Sequence, residues 1–152
     1  MQLLSPAFED GGTMPWRASA PSENELPPLE IRDVPVEASS LAILLEDLDS
    51  PLGPVTHWLV WNLPATTSRV DALNLPGEGR VGMSAFGKIG YLGPVPPEGS
   101  HHYRFRLLAL DTELDLESGA TRSRFDDAAQ GHVLETADLV GIMERPPPEP
   151  QD

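Results

Sequence analysis

From His101 the chain alternates, with His101, Tyr103, Phe105, Leu107 and Ala109 on one face and His102, Arg104 and Arg106 on the other. That two-residue period is the signature of a half-buried strand, and it places an imidazole and a phenol on the apolar side. Burying them costs free energy unless each meets a hydrogen-bonding partner. A polar group from protein, water or ligand is therefore expected at the mouth of the core. The stretch before the strand, Gly90 to Gly99, holds three prolines and three glycines. Proline fixes φ and removes an amide donor, while glycine permits positive φ and close approach to a ligand, so the composition implies a shaped rim more than a flexible lid.

A second strand repeats the theme. Val55, His57, Leu59, Trp61 and Leu63 fall on one face, and Thr56, Trp58, Val60 and Asn62 on the other. One histidine on an apolar face reads as a satisfied core residue; two independent cases point to a site. A third strand, Leu41 to Glu46, ends in Asp47-Leu48-Asp49-Ser50-Pro51, whose two carboxylates at i, i+2 are expected to point the same way. Read structurally, this is turn chemistry at a strand end, closed by proline. Read functionally, a carboxylate orients an imidazole and favours its cationic form. The Ser50-Pro51 bond is open to a cis form.

A chain of 152 residues suits one domain with its own core. It has no cysteine, which excludes disulfides, thiolate metal sites and cysteine nucleophiles. The N-terminus lacks the basic start and long apolar run of a signal peptide, and no stretch is long enough to span a membrane, so a cytoplasmic protein is expected. The net charge of −14, with Lys88 the sole lysine, disfavours nucleic acid and anionic lipid surfaces as partners. Any anion must be held by local groups against the global field, and histidines and loop amides supply such groups.

Residues Leu3 to Phe8 read as a short strand, Asp10 to Pro28 as a long polar excursion, and Asn74 to Gly90 as loop. Arg122 to Arg145 reads as helical, with Val133, Ala137 and Val140 on one stripe and Gly131 separating two short helices. His132 is expected at a helix start, Trp16 and Trp61 as structural anchors, and Arg104 and Arg106 as a solvated strand face. The expected architecture is mainly β: an antiparallel β-sandwich over residues 1–145 with a few short peripheral helices, mostly C-terminal. Residues 146–152 are prolines and acids with nothing to bury and are expected to be a disordered tail.

The ordered series Asp47-Leu-Asp49-Ser-Pro51, His57-Trp58, Asn62-Leu63-Pro64 and Gly90-Tyr91 through Pro96-Pro97-Glu98-Gly99 to His101-His102-Tyr103 resembles the phosphatidylethanolamine-binding protein family. It is most similar to the bacterial and archaeal Raf kinase inhibitor-like branch. Weaker similarity in Leu26-Pro27-Pro28-Leu29, Asp33-Val34-Pro35 and Phe86-Gly87-Lys88 extends the match over most of residues 1–145. The resemblance implies antiparallel sheets in a sandwich and a small pocket for phosphate-like anions and phosphoryl head groups. Carried over residue by residue, the pocket is Asp47, His57, Pro96, Pro97, His101 and Tyr103. Gly93, Pro94 and Val95 form its rim, Asp49 and Pro51 shape the turn beside it, and Trp58 supports it from behind. Three departures stand out: Leu48-Asp49-Ser50 replaces the usual Pro-Asp-Ala, His102 the usual arginine, and Ile31-Arg32 a common tryptophan. None removes a pocket residue.

Three function classes follow. The leading one is a non-catalytic binding module in which His57 and His101 donate to an anion, Tyr103 donates through its hydroxyl and Asp47 holds one imidazole, with no cofactor and no metal. A homodimer is in keeping with the resemblance. The second is an inhibitor or regulator of a kinase or protease acting through protein contact. The third is a hydrolase using His57, Asp47 and Ser50 or Ser100, which lacks a Gly-x-Ser-x-Gly elbow. Metal hydrolysis lacks His-x-x-x-His or Glu-x-x-His spacing, and His101 and His102 point to opposite faces.

Overall fold

A computed structural model describes residues 1–71, 75–96 and 99–146. Among the described residues, eight strands form two antiparallel sheets. The smaller has the order β1 (Gln2–Leu4), β2 (Leu29–Arg32), β5 (Arg69–Val70), and the larger the order β6 (Arg80–Val81), β4 (Val55–Pro64), β3 (Ser40–Asp47), β7 (Ser100–Leu110), β8 (Val133–Glu144). β3 lies at the centre, paired with β4 on one side and β7 on the other. Every one of its residues is buried, which suits its nearly continuous apolar run.

The large sheet is covered on both faces. On one, Leu41, Ile43, Leu45, Phe105 and Leu107 pack with Leu3, Leu29, Ile31 and Val70 of the small sheet. On the other, Ala42, Leu44, Leu59, Trp61 and Leu108 pack under Leu114, Leu116 and Phe125, the last from the single α-helix among the described residues, α1 (Arg122–Ala129). Each fully buried Leu or Phe stabilises the fold by about 1.5–3 kcal/mol, so the two layers together hold the sheet rigid. The site lies at one end of this slab.

The C-terminal quarter departs from the helical reading. α1 starts at its cap Thr121, whose side chain accepts the Arg124 amide, and stops at Ala129; Gly131 takes φ +81° to turn the chain. From Val133 the chain is a twelve-residue strand paired along the length of β7. The ladder offered by β7 decides the matter, together with inward Leu139, Gly141 and Met143 at i, i+2. The outer edge of β8 is covered in turn, because Gly11 and Met14 donate amides to Val140 and Ile142 at 2.7 and 2.8 Å. His132 sits in the turn after α1, bonded to Asp111 at 2.8 Å, rather than at a helix start.

Other expectations change in detail. The first strand ends at Leu4, and the stretch read as loop before Gly90 contains β6; Asn74 itself lies outside the described residues, as do 147–152 of the tail. Among the described residues no peptide bond is cis. Arg104 and Arg106 are part-exposed on the outer face of β7, and each is paired with a carboxylate. Arg104 pairs with Glu46 at 3.0 Å and Arg106 with Asp138 at 2.8 Å, while Arg122 of α1 reaches Glu46 at 2.9 Å.

Candidate functional site

Asp47 ends β3 opposite Tyr103 of β7 in the ladder, so His101, two residues from Tyr103 on the same strand face, lies beside the carboxylate. His101 Nδ1 is 2.8 Å from Asp47 Oδ2, and Oδ1 accepts the Asp49 amide at 2.9 Å. The carboxylate is 7% exposed but doubly hydrogen-bonded, which offsets much of its desolvation. The two aspartates do not act together as their spacing suggested. Asp49 turns outward and accepts both the backbone amide and Nδ1 of His102, at 2.6 and 2.7 Å, and these bonds hold its carboxyl below the usual range. Pro51 is exposed on the following turn.

His57 reaches the side of Tyr103 by a break in register. Leu45 pairs with Trp58 and Glu46 with Thr56, so His57 is an extra residue in β4. This bulge sends Thr56 toward α1, where its hydroxyl accepts from Arg122, and lets both His57 and Trp58 face the small-sheet side. A second shift, between Leu41 and Ile43, falls at Asn62 with φ +57° and returns Leu63 to that side. The continuous face read through His57, Leu59, Trp61 and Leu63 is therefore broken twice, with Leu59 and Trp61 in the opposite layer. Strict alternation fails here because β4 is buried on both faces, so apolar residues carry no sidedness.

His57 Nδ1 lies 3.0 Å from the Gly93 carbonyl and 3.1 Å from that of Leu92. Carbonyls only accept, so Nδ1 carries the proton. The ring stands perpendicular to Tyr103 at 5.5 Å, and Phe86 meets its other side at 5.0 Å. Burial lowers the His57 pKa, and the two carbonyls and Asp47 only partly oppose it. Tyr103 stacks on His101 at 6.3 Å and is fully buried. Its hydroxyl has no hydrogen-bond partner among the described residues; the Val95 backbone favours its ionised form without completing a bond of normal geometry. Burial, then the Asp47 charge, push the phenol above its ordinary value, so it is a neutral donor.

The rim is held by residues that strand periodicity could not reveal. Asn24, at φ +53°, donates to the Tyr91 carbonyl at 3.0 Å and accepts the Gly93 amide at 2.7 Å. The Tyr91 hydroxyl donates to the Ala18 carbonyl at 2.8 Å, and Ala20 donates to the Pro94 carbonyl at 3.0 Å. A Cβ at Gly93 would collide with the Ala18 carbonyl, so glycine is required by close approach. Trp58 supports Tyr91 edge to face at 6.0 Å. Pro94 and Pro96 are buried and Val95 is exposed; Pro97 lies outside the described residues. Asn24 is marked in sequence only by a polar turn, and Phe86 only through the weaker similarity of Phe86-Gly87-Lys88.

The surrounding features do not compete for the same role. The Ser50 hydroxyl accepts the Leu52 amide at 3.4 Å and is bonded to neither histidine. A cavity of about 430 Å³ lies on the opposite face, between α1 and the sheet, but its Arg106 and Arg122 are already paired with carboxylates. Among the described residues no helix is long and apolar enough to cross a membrane.

Known proteins carry the same arrangement of strands. A structure from Chlamydia trachomatis described as a phosphatidylethanolamine-binding protein homologue superposes with a TM-score of 0.90 at 36% identity, covering 95% of this chain and 97% of that one. Escherichia coli YbcL, described as a member of the mammalian PEBP family, gives 0.88 at 25% identity over 95% of this chain and 98% of its own. A protein of Methanothermobacter thermautotrophicus, named UPF0098 protein, is 43% identical over 95% of this chain and 99% of its own length. The family model for phosphatidylethanolamine-binding protein matches residues 4–144, nearly the whole described chain, and by that match the protein belongs to the phosphatidylethanolamine-binding protein family.

Proposed function

We propose that the protein is a non-catalytic, cytoplasmic binding module that takes phosphate-like anions and phosphoryl head groups between His57, His101 and Tyr103. The observation that carries this reading is the Tyr103 hydroxyl, a fully buried donor without a partner among the described residues, set between two imidazoles whose Nδ1 atoms are already used. A buried hydroxyl left unpaired costs about 1–3 kcal/mol, and a ligand oxygen relieves that cost. Asp47 orients His101, the Gly93-Pro94-Val95-Pro96 segment walls the mouth, and affinity is expected in the millimolar to micromolar range, roughly −4 to −8 kcal/mol. Binding tightens as the imidazoles gain protons, so phosphate affinity should be higher near about pH 6 than about pH 8.

An NMR titration of the histidine rings with phosphate and phosphoethanolamine at low salt tests this. His57 and His101 should shift together and saturably while His132 stays still; no shift in either sinks the reading. Regulation of a kinase or protease through protein contact is the second reading. It is supported by the exposed side chains of Phe86 and Val95 beside the mouth, 57% and 44% accessible. Capture of a specific partner by the wild type but not by Phe86→Ser would favour it.

A further inference from the structure

We propose that the cavity between α1 and the large sheet is a second ligand site, separate from the anion pocket, that takes a small organic monocation with an apolar body. Its volume of about 430 Å³ is that of a cleft for a small molecule. Leu44, Leu108, Phe125, Ala129 and Val133 supply its apolar lining. The first four are buried and belong to the packed layer under α1, with the Phe125 ring set against Trp61 at 6.1 Å. Val133 is 42% exposed, so part of that lining stands open to water. An apolar body seated there removes it from solvent, which is the main drive for a ligand to enter.

The charges around the cavity decide the sign of its ligand. Arg106 and Arg122 line it, but both are occupied. Arg106 donates through Nε and Nη2 to the two oxygens of Asp138 at 2.8 and 3.0 Å, and Arg122 donates to Asp126 at 2.8 Å and to Glu46 at 2.9 Å. Arg104 completes the set on Glu46 at 3.0 Å, so three guanidinium cations are matched by three carboxylates. Asp127 lies outside that balance. It lines the cavity, is exposed, and forms no ion pair among the described residues; Arg124, one turn earlier on α1, does not line the cavity. Gln130 and Gly131 bring the C-terminal end of α1 to the same wall, and the last turn holds no basic residue to offset the partial negative charge of a helix end. The uncompensated charge at the cavity is therefore negative, and the chain's net charge of −14 adds to it. A carboxylate ligand meets Asp127 and finds both guanidiniums taken. An ammonium ligand meets Asp127 and the helix end while its body lies on Phe125 and Leu108.

Tryptamine, tryptophol and indolepropionate share an indole body and are, at neutral pH, a cation, a neutral alcohol and an anion. Each is titrated at low salt into the intact wild-type protein and followed by backbone amide and histidine-ring shifts. Tryptamine should bind in the millimolar range or tighter, with saturable shifts in α1 and around Val133 and Thr136 and none in the rings of His57 and His101. It should bind roughly fivefold tighter than either of the others, the scale of one partly exposed charge contact together with a helix end. Asp127→Asn, at an exposed position without an ion pair, should remove most of that preference and leave tryptophol binding unchanged. Thr136→Trp, which places a bulky ring at the cavity from an exposed strand position, should weaken all three. A preference for tryptamine of about threefold or more that Asp127→Asn reduces supports the proposal. A smaller preference, tighter binding of indolepropionate, a preference that survives Asp127→Asn, binding undiminished by Thr136→Trp, or no saturable shift in α1 overturns it. Because the cavity lies on the opposite face of the sheet, each of those results leaves the anion-binding reading untouched.

Discussion

The Asp47 carboxylate divides its two oxygens between His101 Nδ1, at 2.8 Å, and the backbone amide of Asp49, at 2.9 Å, so one side chain fixes both an imidazole and the turn that follows it. The bond to Asp49 holds the carboxylate still, and the carboxylate in turn sets the His101 ring. Asp47→Asn keeps the size but turns part of the acceptor into a donor facing Nδ1–H. Charge-assisted hydrogen bonds are worth about 1.5–3 kcal/mol, so phosphate affinity is expected to fall roughly tenfold to a hundredfold. The His101 ring nitrogens should change their protonation pattern in ¹⁵N spectra, a shift that simple loosening of the turn would not cause. Unchanged affinity with an unchanged tautomer would remove Asp47 from the site.

His57 makes stability depend on pH with a definite sign. Its pKa is lower folded than unfolded because burial disfavours the cation. The unfolded chain therefore binds the proton first as pH falls below about 6.5, and stability present above that value is lost progressively as pH drops toward the folded pKa. His57→Gln removes this titration. The urea midpoint of the wild type should fall more steeply than that of the variant between about pH 7 and about pH 5, and parallel slopes would contradict a neutral buried imidazole.

How much of this was legible beforehand depends on burial. β7 carries polar side chains on its outer face near the site, so alternation assigned His101, Tyr103 and Phe105 to the correct side. β4 is apolar on both faces, and the bulge that moves His57 into the pocket leaves no mark in its pattern. The same blindness affected the end of the chain, where Val133, Ala137 and Val140 fit a helical stripe as readily as a strand. Only the unpaired edge of β7 decides between them, and that edge is a tertiary fact. Asn24 is silent in the sequence because its role is to bridge Tyr91 and Gly93, 67 and 69 residues away along the chain.

Gly93 and Asn24 separate rim shape from rim attachment. Gly93→Ala forces a methyl into the Ala18 carbonyl, and backbone must move to relieve it. A loss of about 2–4 kcal/mol is expected, together with loss of phosphate binding, because the Gly93 carbonyl that fixes His57 moves with it. Asn24→Ala removes two hydrogen bonds from a partly exposed position and should cost about 1–2 kcal/mol. Its larger effect should be on affinity, since the rim loses its tie while the core is untouched. Chemical denaturation and a phosphate titration on both variants check this, and an Asn24→Ala protein that binds as tightly as wild type would show that the rim holds itself.

On the other face of the sheet, Glu46 joins Arg104 of β7 to Arg122 of α1 at 3.0 and 2.9 Å. Burial alone would raise the Glu46 pKa, but the two guanidinium hydrogen bonds outweigh it and leave the carboxyl below its usual value. Glu46→Gln leaves two cations without their shared anion. Breaking a fully buried pair costs about 3–5 kcal/mol, and the arginines here are 22% and 31% exposed, so about 2–3 kcal/mol is expected at neutral pH. Because the folded pKa is depressed, this stabilisation is complete above the ordinary glutamate value of about 4.3 and vanishes as pH falls through the folded one; wild type and variant should converge in acid. Phosphate affinity should not change, since β3 carries Glu46 and Asp47 on opposite faces. A difference in stability that persisted undiminished to about pH 2 would show that Glu46 acts through packing instead of charge.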